Sequence, residues 1–174
     1  MYTRSQHAAL PNAYRSVRRS VEGVGKGPDV ILIQGFGCSR EVWRAEAERL
    51  QATHLVHLVQ LAGFAGEPWV HGDGSFIEPV VEELARYIQE GGLRSPGLVG
   101  RSMGSLVGLR LAQEHPGSLG RLMSVDSLPF FGALRGPQVT VEMMRPAAEQ
   151  TAQMLRNIPD DAFRAAQVSS AAGY

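Results

Sequence analysis

A chain of 174 residues, 44% of them hydrophobic, is long enough to bury one substantial core and reads as one domain. Seventeen basic and seventeen acidic residues give a net charge of zero, which recommends neither nucleic acid nor an anionic membrane as a partner. The single cysteine, Cys38, leaves no intrachain disulfide and no multi-cysteine metal site, and the apolar runs are far too short to form a transmembrane segment.

Residues 1–16 read as a flexible leader. Arg4, Arg15, Arg18 and Arg19 precede the first acid, Glu22, but the uninterrupted apolar core of a signal peptide is lacking, so a cytoplasmic location is expected. Residues 17–24 suit a first strand, followed by the turn Gly25-Lys26-Gly27-Pro28. Residues 29–34 are a β-branched and leucine run, as expected of a strand buried on both faces of a parallel sheet. Gly35-Phe36-Gly37 breaks that strand. Ser39 is a suitable N-cap for a helix to about Leu50, with Glu41 in its first turn and Trp43, Ala47 and Leu50 at i, i+4 and i+7. Residues 54–61 form the next strand. A glycine-rich loop, 62–74, leads to Ser75-x-x-Glu78, a capping-box spacing, with Pro79 tolerated in the first turn. The helix that follows repeats Ile77, Val80, Val81, Leu84 and Ile88 on one face and stops at Gly91-Gly92.

A third buried strand follows Pro96 and runs into Gly100-Arg101-Ser102-Met103-Gly104. A helix then continues to His115, with Gly104, Gly108 and Ala112 as a small-residue stripe suited to lying close on a sheet, and Pro116 ends it. Residues 119–125 are another strand, closed by Asp126. Strands and helices in this alternation define an α/β protein with a mostly parallel sheet and flanking helices. From Gly132 the character changes. Met143, Met144, Met154, Leu155, Ile158 and Phe163 fall in two helical stretches, interrupted by Pro146 and by Pro159-Asp160-Asp161. They make either a helical pair packed on the core or a lid lining an apolar cavity. The chain thus divides into a leader (1–16), a core (17–135) and a partial helical lid (136–174).

The pentapeptide at 100–104 carries the chemistry. A serine on a strand-to-helix turn this tight needs small neighbours, hence glycine at 100 and 104. The turn lifts the hydroxyl to the carboxyl edge of the sheet and aims the free N–H groups of a helix start at developing negative charge.

With that element in place the chain resembles the α/β-hydrolase superfamily, most closely its lidded, bacterial, esterase-like members. The resemblance rests on Asp29-Val-Ile-Leu-Ile-Gln-Gly-Phe-Gly37, on Trp43, on Leu98-Val-Gly-Arg-Ser-Met-Gly104 and on Arg121-Leu-Met-Ser-Val-Asp126. It implies that Ser102 attacks a carbonyl carbon to form an acyl-enzyme that water hydrolyses. The oxyanion would be held by the backbone N–H groups of Met103 and Phe36, with Gly35 and Gly37 shaping the loop against the substrate. An aspartate nucleophile, as in dehalogenase and epoxide-hydrolase members, is excluded by Ser102. Three departures stand out: Gln34 where the family often has histidine; Arg101 and Ser105 where the elbow commonly reads His-Ser-Met-Gly-Gly; and a chain that stops inside the lid. In the superfamily the triad acid usually follows a later strand and the histidine the last one, so both of those positions, and the last strands themselves, are expected to be missing.

Among the residues present, His71 lies in a loop at the carboxyl edge of the sheet and is the candidate base; its alternative is an ordinary surface histidine. His7 belongs to the leader, and His54 and His57 suit structural roles in a strand. His115 lies 13 residues beyond Ser102, roughly 20 Å along the helix. Asp126 ends the strand expected beside the elbow strand, where some members place their triad acid; it equally suits a turn before Ser127. Arg101 either assists an anionic substrate or pairs with a nearby acid. Cys38 suits a small buried filler. No cofactor or metal motif is present. The function expected is a serine hydrolase of a small carboxylic ester or related acyl compound. The alternatives are a catalytically inactive binding protein on the same scaffold, or one chain of a complementing assembly whose lone monomer would leave a sheet edge bare.

Overall fold

The structure, a computed structural model, describes the main chain of residues 13–15 and residues 19–68 and 74–159. Two compact units divide it, Met1–Ser127 and Leu128–Tyr174.

The first unit is organised by β4, Leu55–Leu61, whose side chains from Val56 onward are all buried. It pairs in parallel with β3, Asp29–Ile33, and antiparallel with β2, Arg19–Gly25. Beyond β3 come β5, Gly97–Arg101, and β6, Arg121–Val125, both parallel. A short β1, Ala13–Arg15, pairs antiparallel with β2, completing the order β1-β2-β4-β3-β5-β6. That strand corrects the reading of residues 1–16 as a leader without structure. Its signal is weak because three residues take their order from the ladder of β2 rather than from any pattern of their own.

Period-two alternation sends the strands' side chains to two cores. On one face Ile31, Ile33, Val59, Leu61 and Leu98 meet Val80, Val81, Leu84, Tyr87 and Ile88 of α2, Ile77–Glu90, and Val107 and Leu111 of α3, Met103–Glu114. On the other face Leu32, Val56 and Leu58 meet Trp43, which ends a 3-10 turn over Arg40–Trp43, and Ala47 of α1, Arg44–Leu50. Ser39 caps the turn, its Oγ accepting from Glu41 N–H at 3.2 Å. The capping box expected from Ser75-x-x-Glu78 does not form: Phe76 is the N-cap of α2 and has no side-chain cap, and the Ser75 hydroxyl donates to the Glu78 carboxylate instead of meeting a backbone N–H.

Two buried polar residues find partners that no local pattern names. His57 is 2% exposed and lies between the Asp29 carboxylate, 2.9 Å from Nε2, and the Tyr87 hydroxyl, 2.7 Å from Nδ1. Arg19 donates to Glu83 O and stacks 4.5 Å over the Tyr87 ring.

The second unit holds a 3-10 turn over Phe131–Arg135 and one helix, α4, Val141–Arg156. Thr140 caps it, Oγ1 accepting from Met143 N–H at 3.3 Å. Pro146 does not interrupt this helix as expected, and Met143 through Leu155 share one element. A proline within a helix removes one hydrogen bond, and a well-capped start with ten helical residues beyond the proline can tolerate that loss. Phe163 and the Asp160-Asp161 break lie outside the described residues. Among the described residues, no helix is long and apolar enough to cross a membrane.

Candidate active site

Parallel pairing brings the carboxyl ends of β3 and β5 side by side, Ile33 opposite Gly100. The loop after β3 and the turn after β5 therefore meet at one edge of the sheet. Ser102 sits between β5 and α3 with φ 50° and ψ −112°, a conformation that costs a non-glycine residue about 1–3 kcal/mol. The β5–β6 ladder holds it there, Ser102 N–H donating to Val125 O at 2.9 Å. The glycines beside it answer to close backbone approach. A methyl group at Gly100 would stand 2.3 Å from the Gly104 carbonyl, and one at Gly104 would stand 2.4 Å from Ile33 O. Gly108 continues this contact, because a methyl there would press on Leu98 and Leu122 at 2.7 Å. Ala112 does not, being exposed at the far end of the small-residue stripe.

The loop of the other glycines closes on the serine. A methyl group at Gly35 would stand 3.4 Å from both Ser102 Cβ and Arg101 O. Cys38 N–H donates to Gly35 O at 3.3 Å, and Gly37 takes φ 73°, so the loop turns back within four residues. Phe36 heads an edge-to-face aromatic row, 5.2 Å from Phe64, which in turn lies 5.6 Å from Phe76. Cys38 is half-buried rather than buried, its thiol donating to Phe36 O at 3.6 Å. Met103 opens α3, so its N–H precedes the first intrahelical partner and is available at the helix start.

Two polar features here are not evident from sequence. Ser105, fully buried, donates from its hydroxyl to Gly100 O at 2.5 Å and ties the first turn of α3 to the end of β5. Gln34, directly after β3, and Gln60, next to last in β4, are also buried. The signal for all three is a polar residue in an apolar context, which by itself names no partner.

Arg101 and Asp126 end adjacent strands. Asp126 takes φ 53°, and its Oδ2 lies 3.8 Å from Arg101 Nη2, a loose ion pair with the arginine half-buried and the aspartate exposed, which matches one of the roles expected of Arg101. The three described histidines are engaged elsewhere: His54 with Thr53 Oγ1 at 2.9 Å, His57 as above, and His115 with Glu82 at 3.1 Å. His71, the expected base, and His7 lie outside the described residues. Met143 and Met144 belong to the second unit, Met143 being 62% exposed and Met144 half-buried. A hollow of about 550 Å³ lined by Glu82, Arg86, Ile88, Leu93, His115 and Ser118 opens at the C-terminal ends of α2 and α3. The elbow is at the other end of α3, so this hollow does not belong to it. Among the described residues no cluster of histidine, cysteine and carboxylate side chains is placed to hold a metal ion.

The strand order, the strained serine and the glycine contacts together define one class of protein. Residues 28–172 match the model of the alpha/beta hydrolase fold family, and the chain belongs to that family. Among its relatives, it is 38% identical over 115 residues to a pimeloyl-(acyl-carrier protein) methyl ester esterase of Aeromonas hydrophila, an overlap of 66% of this chain and 43% of that protein. It is 32% identical over 120 residues to the like-named protein of Vibrio cholerae, covering 67% and 45% respectively. The chain therefore spans less than half the length of these curated relatives. Two solved structures share its fold. An epoxide hydrolase from Vigna radiata superposes with TM-score 0.60 at 23% identity, over 78% of this chain and 45% of that one. A marine microorganism esterase gives 0.59 at 23%, over 83% and 52%.

Proposed function

We propose that this chain carries the nucleophile and oxyanion site of a serine hydrolase acting on a carboxylic ester. The observation that supports this most is Ser102 in a positive-φ turn at the start of α3, with the Gly35 loop against its Cβ. In this reading the Ser102 hydroxyl attacks the ester carbonyl as its proton passes to a base. The N–H groups of Met103 and Phe36 receive the oxyanion, the alcohol leaves with the proton, and water then cleaves the acyl-enzyme to the free acid. Asp126 is the candidate acid, and His71 the candidate base. Gly35 and Gly37 flank the reacting carbonyl, and Arg101, next to the nucleophile, contacts the rest of the substrate. The names of the relatives, esterases of a pimeloyl-(acyl-carrier protein) methyl ester, favour a methyl ester of an acyl group as the substrate class.

A second reading has its own observation. Every described histidine is engaged away from Ser102, and a serine without a base is a poor nucleophile. On that reading the chain binds acyl compounds without turning them over. Treatment of the 174-residue chain with a fluorophosphonate, with Ser102→Ala as control, separates the two. A mass adduct on Ser102 supports the hydrolase, and a folded chain that stays unlabelled supports the binding protein.

A further inference from the structure

We infer that Gln34 and Gln60 are positioning residues, a pair of buried amides that clamps both ends of the loop at residues 35–39 and so sets where the Phe36 N–H points. The inference rests on the reading of that N–H as an oxyanion donor.

Gln34 is the residue at which the loop leaves β3, and none of its surface is exposed. With its amide turned to match its neighbours, its nitrogen donates to Val59 O at 2.5 Å. Its oxygen accepts from Leu61 N–H at 2.8 Å and from Gln60 Nε2 at 3.1 Å. Gln60, next to last in the adjacent strand β4, reaches the other end of the loop. Its Oε1 accepts from Arg40 N–H at 2.8 Å, where the chain enters the 3-10 turn. Its Nε2 also lies within reach of Leu61 O at 3.1 Å and Phe64 O at 3.4 Å. Arg40 is fastened again through its guanidinium, to Ser20 Oγ at 2.5 Å and Leu58 O at 3.5 Å.

Gln34 thus fixes the loop's entry and Gln60 its exit, while their mutual hydrogen bond sets the spacing between the two. Phe64, held by the same Gln60, is the ring on which Phe36 packs. A primary amide offers two donors and two acceptor sites on one rigid plane and does not titrate, so one side chain serves several backbone groups at any pH. Buried amides left without partners are costly, which ties the loop to the one geometry that satisfies all of them.

The test uses the full 174-residue chain labelled with ¹⁵N. Gln60→Leu removes every bond of the side chain, whereas Gln60→Glu keeps the acceptor for Arg40 N–H. We expect the Arg40 amide to exchange at least about tenfold faster in Gln60→Leu, with lowered heteronuclear NOEs confined to residues 35–40 and 61–64, and protection of Arg40 largely retained in Gln60→Glu. If Gln60→Leu does not fold, Gln34→Leu is read at the Leu61 amide and the same loop. Unchanged Arg40 exchange and unchanged loop NOEs in a folded Gln60→Leu overturn the clamp.

Fluorophosphonate kinetics give the functional arm. The limiting labelling rate of Ser102 should fall about tenfold while the half-saturating concentration stays within about twofold, because the loop acts on the oxyanion and not on binding. A loss of labelled fraction at unchanged rate would mean unfolding alone and would overturn positioning. If the wild-type chain does not label, the ester-hydrolase reading fails, and the NMR comparison still decides whether the amides clamp the loop.

Discussion

Gly104 and Ile33 touch through their backbones: a methyl group on Gly104 would stand 2.4 Å from the Ile33 carbonyl oxygen. The N-terminal turn of α3 is thereby pressed onto the end of β3, with no room for a side chain between them. Gly104→Ala must push the helix off the sheet, an overpacking cost of about 3 kcal/mol or more. Urea unfolding should show it as a lower midpoint at similar m-value, whereas Gly117→Ala, at a position open to solvent, should cost only what its positive φ imposes.

Ser102 stores strain that glycine would release. Ser102→Gly should raise stability by about 1 kcal/mol relative to Ser102→Ala, since the alanine keeps a Cβ at φ 50°. Both variants lose fluorophosphonate labelling. A thermal-melt comparison of the two reads the strain separately from the chemistry.

The Arg101–Asp126 pair is loose and the Asp126 side chain is 70% exposed, so its loss should cost less than about 1 kcal/mol. Asp126→Asn is therefore expected to fold normally. If Asp126 orients the base, labelling of Ser102 falls on the order of 10³–10⁴-fold in that variant. An unchanged rate assigns the carboxylate to the ion pair alone.

His57 is bonded at both ring nitrogens within the sheet-facing core. His57→Leu leaves the Tyr87 hydroxyl without that bond and strips Asp29 of one partner, which should destabilise the fold by about 2–4 kcal/mol in urea. The labelling rate of the folded fraction should not change. A fall in that rate would place His57 in the chemistry.

Arg44 bridges Glu22 and Glu41, at 2.8 and 2.7 Å, and its hydrogen bonds hold both carboxyls below the usual carboxylate range. Because the folded-state values are depressed, the stabilisation is present above the ordinary glutamate pKa of about 4.3 and is lost as pH falls through the lower folded values. All three side chains are a third or more exposed, so solvent screening leaves at most about 1 kcal/mol. Arg44→Met should melt lower than the wild type at neutral pH, and the gap should close in acid.

Much of this architecture is legible from local pattern. The apolar run Val30–Ile33 that becomes β3 needs no partner to declare itself, since four β-branched and leucine residues in succession suit a strand covered on both faces, and β4 and β5 show the same residue types in shorter runs. The turn at Ser102 is equally local, because Gly100 and Gly104 report a backbone contact that only glycine permits. Short β1 and the passage of α4 through Pro146 were not legible. Each depends on a balance between a weak local preference and a neighbour: the ladder of β2 in one case, the Thr140 cap and the following turns in the other.

Side-chain partnership is where local pattern stops. Periodicity places Gln34 and Gln60 at strand ends, His57 inside a strand and Ser105 in a helix, but a hydrogen bond joins groups that are distant in sequence and its geometry is set by strand register. Register put Gln34 beside Gln60, carried Asp29 to His57 across 28 positions, and set Arg101 next to Asp126. The sequence alone determined the fold class and the tight turn at Ser102, because these follow from residue type at short spacing. Only the tertiary structure decided which polar groups meet, because burial makes each of them find a partner and the sheet determines which partner is within reach.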